Sequence, residues 1–475
     1  MRTVASVVAR NARTRPDGVA FVEAASGASM TWSEYHDHSS RMVGSLGAPG
    51  ERVALQLPDG PGVHAAMLAC EKAGIVAVGI GSRAGDREVA HLVDRSRARA
   101  LLREPPALGV AGDEHPLGAD DLWFLNSTSG TTGLPKIVMH DQVRWFAFHD
   151  FAQRVAHFTA NDVFCSVLPA PFGFGLWTAH FSPAIAGAAC IVCARFDPEV
   201  VLAAIERHRV TVLAAVSTQF VMMLNSPGVD RYDLSSLRIL FTGGEMVPYE
   251  RAKEFEDRTG ACVLQFYGSN ETGALSCTTP DDPQDKRLRT AGRVIPEMQV
   301  RLLDAATGAD LTAPGAVGVP AGKGPTLCLG YYDDDAANAE LFTADGWMRM
   351  GDLASIDADG YLTVVGRTSD VIIRGGKNIS AAQVEAEVAS HPAIALSGAV
   401  AVSDETFGER VCVFVEVRAD HPPITLDELR SHLAARGTGK ELWPERLVVV
   451  AELPRSSGGK VAKGELRALA ETLDS

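Results

Sequence analysis

Short apolar runs rich in Val, Ile, Leu and Ala recur along most of the chain, with helical patterns set between them. RVALQLP (52–58) reads as a buried strand. A Gly-Pro break follows, then VHAAMLACEKAG (63–74) in helical spacing, then IVAVGIG as the next strand. ACIVCA, VTVLAAV, LRILFTGG and CVLQFYG have the same character, most of them preceded by a helical stretch. Near-continuous apolar runs, as opposed to strict alternation, belong to strands covered on both faces, so the pattern predicts parallel sheets clad in helices. The first residues predict an amphipathic helix with Val4, Val7 and Val8 turned inward.

From about residue 290 the texture changes to shorter, alternating strands with Gly-Asp turns: QVRLLDAATG, SIDADGYLTVVG and DVIIRGG. The last hundred residues predict a unit of their own: helix AAQVEAEVASH, strands ALSGAVAVS and RVCVFVEVR, and helix TLDELRSHLAAR. The predicted division is 1–367 and 368–475, just after Gly366-Arg367, while 105–120 reads as a loop inside the first part. The fold class expected is α/β: a large N-terminal domain of helix-covered, mostly parallel sheets with a small barrel-like part, then a small mobile α+β C-terminal domain.

A chain of 475 residues exceeds what one core serves, in keeping with two domains. The formal charge of −15 argues against a nucleic-acid surface, which needs a dense basic footprint, but leaves room for a local phosphate site. Between Asp162 and Arg195 there is no Asp, Glu, Lys or Arg. A membrane span needs about 20 unbroken apolar residues. Pro169, Pro171, Pro183, Gly173 and Gly175 interrupt this run, so a turn-rich wall of an apolar pocket is expected instead. Cys190 and Cys193 form a lone C-x-x-C with no second pair, and two buried strand cysteines are expected there. The start lacks a signal-peptide pattern, so a cytoplasmic protein is expected.

The strongest local signal for chemistry is Ser127-Thr128-Ser129-Gly130-Thr131-Thr132-Gly133-Leu134-Pro135-Lys136, directly after the strand-like DLWFLN. Its glycines let successive N–H groups converge on an anion, the hydroxyls add donors, and Lys136 adds a point charge. It is not a Walker A loop, because Leu134 and Pro135 separate Gly133 from Lys136. This segment resembles the phosphate loop of the acyl-CoA synthetase, adenylation-domain and luciferase superfamily. Further segments match that family in order: Gly243-Gly244-Glu245, Tyr267-Gly268-Ser269-Asn270-Glu271, Gly346-Trp347 with Gly351-Asp352, Gly366-Arg367, and Pro454 to Lys460.

The resemblance implies attack of a carboxylate on the α-phosphorus of ATP with loss of pyrophosphate, then transfer of the acyl group to a thiol. Both reactants are anionic, so charge neutralisation and alignment carry the catalysis. The ATP site would comprise Thr128, Ser129, Gly130, Thr131, Thr132, Gly133, Lys136, Gly243, Gly244, Glu245, Tyr267, Gly268, Asp352 and Arg367. Glu271 would hold Mg²⁺, Tyr267 would stack on adenine, and Asp352 would accept from the ribose hydroxyls. Arg367 would reach the ribose from the domain junction, and Lys460 would bridge the substrate carboxylate and the α-phosphate. The small domain would then rotate about a hinge and present the face around Arg374 to Asn378 to the thiol.

Three positions depart from the family pattern. Asn270 stands for a threonine that donates to the α-phosphate, and its amide can still donate. Ser369, followed by Asp370, occupies the hinge position where Asp or Lys is common, which bears on the thiol step. In Leu168-Pro169-Ala170-Pro171-Phe172-Gly173-Phe174-Gly175, Phe172 replaces a histidine, and no aspartate is present to pair with the ammonium of an amino acid. Phe172, Phe174, Gly175 and Trp177 would line a pocket for an apolar acid. The GGKNIS segment favours coenzyme A as acceptor, with delivery to a separate carrier protein or partner enzyme as the alternative. Only 15 residues follow Lys460, too few for a fused carrier, so the acceptor would come from outside.

Overall fold

The computed structural model describes residues 2–128, 135–418, 421–455 and 460–472. Every apolar run named above as a strand in the first part lies in one of two helix-covered sheets. The larger has nine strands. Its centre is parallel throughout: Cys262–Ser269, Ile239–Gly243, Val212–Ala214, Val163–Ser166, Ala189–Val192 and Val19–Glu23 in spatial order. The other has six strands, with Phe124–Ser127, Val76–Gly79, Arg52–Leu55 and Ala100–Leu102 parallel, and Ile137–His140 and Gly330–Tyr331 antiparallel at one edge. Helices Pro61–Lys72 and Val143–Ala156 supply much of the buried cladding. The N-terminal helix Val4–Thr14 is held by a Thr3–Ser6 capping box and buries Val4, Val7 and Val8 as its spacing requires.

The change of texture near residue 290 corresponds to a third, wholly antiparallel sheet built on Gln299–Leu303, Val317–Lys323, Asp352–Ile356 and Leu362–Arg367. Strand Val371–Arg374, four residues on, belongs to a fourth sheet with Lys377–Ser380, Ile394–Asp404, Gly408–Val417 and Arg446–Val450. Helices Ala381–Val388, Leu426–Ala435 and Lys463–Thr472 pack on it. The molecule is thus a large N-terminal domain of mainly parallel sheets and a smaller α+β C-terminal domain. No helix among the described residues is long and apolar enough to cross a membrane.

The uncharged run is a strand, a turn, a short helix and the π-helix Leu176–Phe181, then helix Ser182–Ala186 and the strand Ala189–Val192. Cys190 and Cys193 are free and buried, and among the described residues no group of His, Cys, Asp and Glu has the makings of a metal site. The other cysteines form no disulfide either among the described residues, and only Cys262 is partly exposed.

Candidate active site

Parallel strands Phe124–Ser127, Ile239–Gly243 and Cys262–Ser269 carry three of the motifs at their ends, the place where open α/β sheets bind ligands, while Asp352 and Arg367 come from the antiparallel third sheet. Strand Phe124–Ser127 runs into the phosphate loop, whose base is closed by a reciprocal pair: Thr128 N donates to Lys136 O at 3.0 Å, and Lys136 N donates to Thr128 Oγ1 at 3.2 Å. Ser129, Gly130, Thr131, Thr132 and Gly133 lie outside the described residues. The Lys136 ammonium sits 4.8 Å from the centre of the Tyr331 ring, and the Tyr331 hydroxyl donates to Glu271 Oε1 at 2.9 Å. Tyr331 therefore joins the phosphate-loop cation to the expected metal ligand, a link the sequence reading missed. Its only local signal is Gly330 before it, whose φ of +110° places a Cβ 2.7 Å from Asn338 Oδ1.

Glu271 suits a divalent cation. Its Oε2 has no hydrogen bond or ion pair among the described residues, and a carboxylate oxygen is the hard ligand that Mg²⁺ takes. Tyr267, Asp352 and Arg367 also come together as expected. Tyr267 Oη donates to Asp352 Oδ2 at 2.9 Å, and Arg367 Nε lies 3.3 Å from Asp352 Oδ1. Burial, with the Asp352 carboxylate beside it, pushes the Tyr267 phenol well above its ordinary range, so it stays a hydrogen-bond donor. Gly268 is forced by close approach, since a Cβ there would stand 1.7 Å from Gly273 O.

Lys460 reaches across from the C-terminal domain. Its Nζ donates to Gly244 O at 2.6 Å. A Cβ on Gly244, whose φ is +80°, would lie 2.9 Å from that nitrogen. Burial between the domains holds the ammonium below the usual lysine range. Arg367 adds to that effect, while Glu245 and Asp352 oppose it. Gly243 packs its α-carbon against Phe266 O. The Glu245 carboxylate is spent as a helix cap: it accepts from Ser217 Oγ at 2.7 Å and Thr218 N at 2.9 Å, at the start of helix Ser217–Leu224.

Beside these groups lies the aromatic wall. Phe172 and Phe174 are partly buried, and Phe174 meets Phe266 edge-on at 4.6 Å. Trp177 lies behind them, only 1 % exposed, packed on Phe148 at 4.5 Å and Phe241 at 4.9 Å. Gly175 fits where a Cβ would strike Pro169 O at 2.2 Å, so it serves the turn that carries the phenylalanines. Asn270 borders the same wall, its Oδ1 3.1 Å from where a Gly173 Cβ would be. Asp59 anchors it from below, accepting from Ala170 N at 2.6 Å, and burial raises its carboxyl to about 6. At the domain junction Thr368 ties back to Gly351 O, while Ser369 is exposed. Asp370 is clasped by Arg467 at 2.6 Å, and Lys463 stands 3.7 Å away.

The Ser/Thr/Gly loop ending in Lys136, the Glu271 carboxylate, the Tyr267–Asp352–Arg367 cluster and a lysine brought in from the C-terminal domain are the parts expected of an adenylate-forming enzyme. Residues 8–115 and 104–332 match the AMP-binding enzyme family, and residues 383–460 match the AMP-binding enzyme C-terminal domain. The chain belongs to the AMP-binding enzyme family. The medium-chain fatty-acid–CoA ligase of Escherichia coli (strain K12) is 30 % identical over 96 % of this chain and 88 % of its own. A feruloyl-CoA synthase of Amycolatopsis sp. is 32 % identical over 96 % of this chain and 97 % of its own. Among solved structures, the o-succinylbenzoate coenzyme A synthetase of Bacillus subtilis, in complex with ATP and magnesium ion, gives a TM-score of 0.83 at 25 % identity. It covers 98 % of this chain and 99 % of its own. The activity is that of an AMP-forming acid:CoA ligase: ATP with Mg²⁺ activates a carboxylic acid as acyl-AMP, and coenzyme A takes the acyl group.

Proposed function

We propose that the acid is apolar and carries no α-ammonium group. The observation that carries this reading is the wall itself. It is uncharged from Val163 to Ala194 and faced by Phe172, Phe174 and Phe266. Asp59, the carboxylate that touches it, is already engaged as the acceptor of Ala170 N at 2.6 Å, so it anchors the turn and does not stand free to receive an ammonium. A buried ammonium without a partner would cost several kcal/mol.

In this reading Lys460 lies between the acid's carboxylate and the α-phosphate, exchanging its Gly244 carbonyl for two anions. Glu271 holds Mg²⁺, which neutralises phosphate charge when bound. Asp352 and Arg367 take the ribose, Tyr267 flanks the adenine, and Thr128 and Lys136 set the mouth of the phosphate loop. Residues 368–475 then turn as one body about Ser369 and bring the Arg374–Asn378 hairpin to the thiol. The enzyme would work in the cytoplasm, where ATP and coenzyme A are supplied.

The test is a mass-spectrometric assay of the purified protein with ATP, Mg²⁺ and a panel of fatty, aryl and polycyclic acids plus amino acids. Each acid is run with and without coenzyme A. Acyl-CoA formed from an apolar acid is the expected result, and turnover confined to amino acids would overturn the pocket reading. Acyl-AMP that accumulates with coenzyme A present would point to a carrier protein as acceptor.

A further inference from the structure

Asn270 and Glu271 are neighbours in sequence, and their hydrogen bonds lead back to each other through the interior. Asn270 Nδ2 donates to Asn126 Oδ1 at 2.7 Å, and Asn126 Nδ2 donates to Asn270 Oδ1 at 3.1 Å, a reciprocal carboxamide pair. Asn126 Nδ2 also donates to Pro171 O at 2.8 Å. A carbonyl oxygen only accepts, so this contact fixes which way the Asn126 amide faces. Its Oδ1 accepts from His140 Nε2 at 2.7 Å. His140 must therefore carry its proton on Nε2, leaving Nδ1 to accept from Arg144 Nη1 at 2.6 Å. Arg144 Nη2 closes the path by donating to Glu271 O at 3.2 Å.

All three connecting side chains are buried: Asn126 1 %, His140 0 % and Arg144 2 % exposed. Burial, reinforced by the Arg144 charge, keeps the His140 ring neutral. The guanidinium itself has no carboxylate within ion-pair distance among the described residues, and its flank rests on Trp145 at 4.9 Å. A buried, unpaired cation is an expensive way to fill space. What it achieves here is orientation. A threonine hydroxyl facing a phosphate can turn to donate, whereas an asparagine amide has two faces, and a flipped one would aim its oxygen at the anion.

We propose that Asn126, His140 and Arg144 are positioning residues for adenylation: their circuit locks the Asn270 carboxamide in the one orientation that leaves an N–H free for the nucleotide and fixes the Glu271 main chain beside it. The inference rests on Asn270 facing ATP in the reaction assigned above. It makes Asn126 necessary because residue 270 is an asparagine.

The experiment is a double-mutant cycle between Asn126→Ala and Asn270→Thr. Two readouts are taken: acid-dependent ATP–pyrophosphate exchange, and the ATP dissociation constant by calorimetry without acid. Thermal melts certify that each variant is folded. Misplaced reacting groups commonly cost tenfold to about a hundredfold. Asn126→Ala should lower exchange kcat/KM by about tenfold or more in the wild-type background and by less than about threefold beside Asn270→Thr. ATP affinity should show the same dependence on background. Asn270→Thr supplies the second background, and its own exchange rate is the reference for the losses measured in it. Arg144→Met should follow the pattern of Asn126→Ala, and stands in for it if that variant does not fold. Equal losses in both backgrounds would mean that Asn126 merely supports the strand, and would overturn the proposal. A wild-type protein that exchanges with no acid would instead sink the adenylation reading, and this inference with it.

Discussion

Lys460 is placed where a cation is costly until a ligand arrives: half-buried between the domains, near Arg367, and satisfied by a neutral carbonyl. Lys460→Ala should therefore lower acyl-AMP formation by about a hundredfold or more, the scale of losing one donor to developing charge. ATP affinity measured by calorimetry should change only modestly, because the Tyr267–Asp352–Arg367 cluster proposed for the nucleoside is untouched. Asp59 gives a pH signature of the opposite kind. Its carboxyl is raised from 3.8 to about 6 in the fold, so the folded chain holds its proton where the unfolded chain has lost it. Stability contributed by the protonated form is present below pH 4 and is lost as pH rises through about 6. Asp59→Asn keeps an acceptor for Ala170 and never ionises. It should melt higher than the wild type at pH 8, with the gap closing towards pH 4, as followed by circular dichroism. At this scale Lys460, Glu271 and Asp352 were marked in the sequence, since each sits in a short motif of the family pattern that carries a charge. Tyr331 and Asn126 stayed hidden. Their partners are 60 and 144 residues away, and neither a tyrosine nor an asparagine is unusual at the edge of a buried strand.

Among elements, the parallel strands were legible because a strand covered on both faces must be apolar at nearly every position, and few other structures impose that. The segment from Leu168 to Ala186 had no such period. It was readable as a turn-rich wall, but the π-helical turn at Leu176–Phe181 follows from packing Trp177 and His180 inward, which no local pattern specifies. Turns of this kind recur at functional sites. The Gly243-Gly244 turn is the clearest element-level dependence. Gly244→Ala would add a methyl 2.9 Å from Lys460 Nζ to a residue at φ +80°. The left-handed backbone alone costs about 1–2 kcal/mol. Exchange should fall about tenfold or more through the displaced lysine, while thioester formation from supplied acyl-AMP and coenzyme A, which needs no pyrophosphate chemistry, falls much less. Equal losses in both half-reactions would show that the turn matters only for folding.

For the molecule as a whole, the step between sheets at residues 367–371 coincides with a change in what holds the chain. Thr368 is tied to Gly351 on one side, Asp370 to Arg467 on the other, and Ser369 between them is exposed. Ser369→Pro fixes φ at one value and restricts Thr368. The variant should still make acyl-AMP, within about threefold of wild type if that φ suits the adenylating arrangement, and should form acyl-CoA about tenfold or more slowly. Single-turnover assays of each half-reaction separate the two. The change of texture near residue 290 was visible in the sequence, whereas the seating of Lys460 on Gly244, 216 residues earlier, belongs to domain docking and leaves no mark in local periodicity. The cysteines bear on the enzyme's endurance. Its second substrate is a thiol, and thiols in use generate disulfides that exchange with any accessible thiolate. All but Cys262 of the cysteines are buried, and burial pushes Cys70 up to about 12 and Cys262 and Cys328 to about 11. Burial and these raised thiols leave Cys70, Cys262 and Cys328 little thiolate at neutral pH with which to meet the oxidised form of the co-substrate.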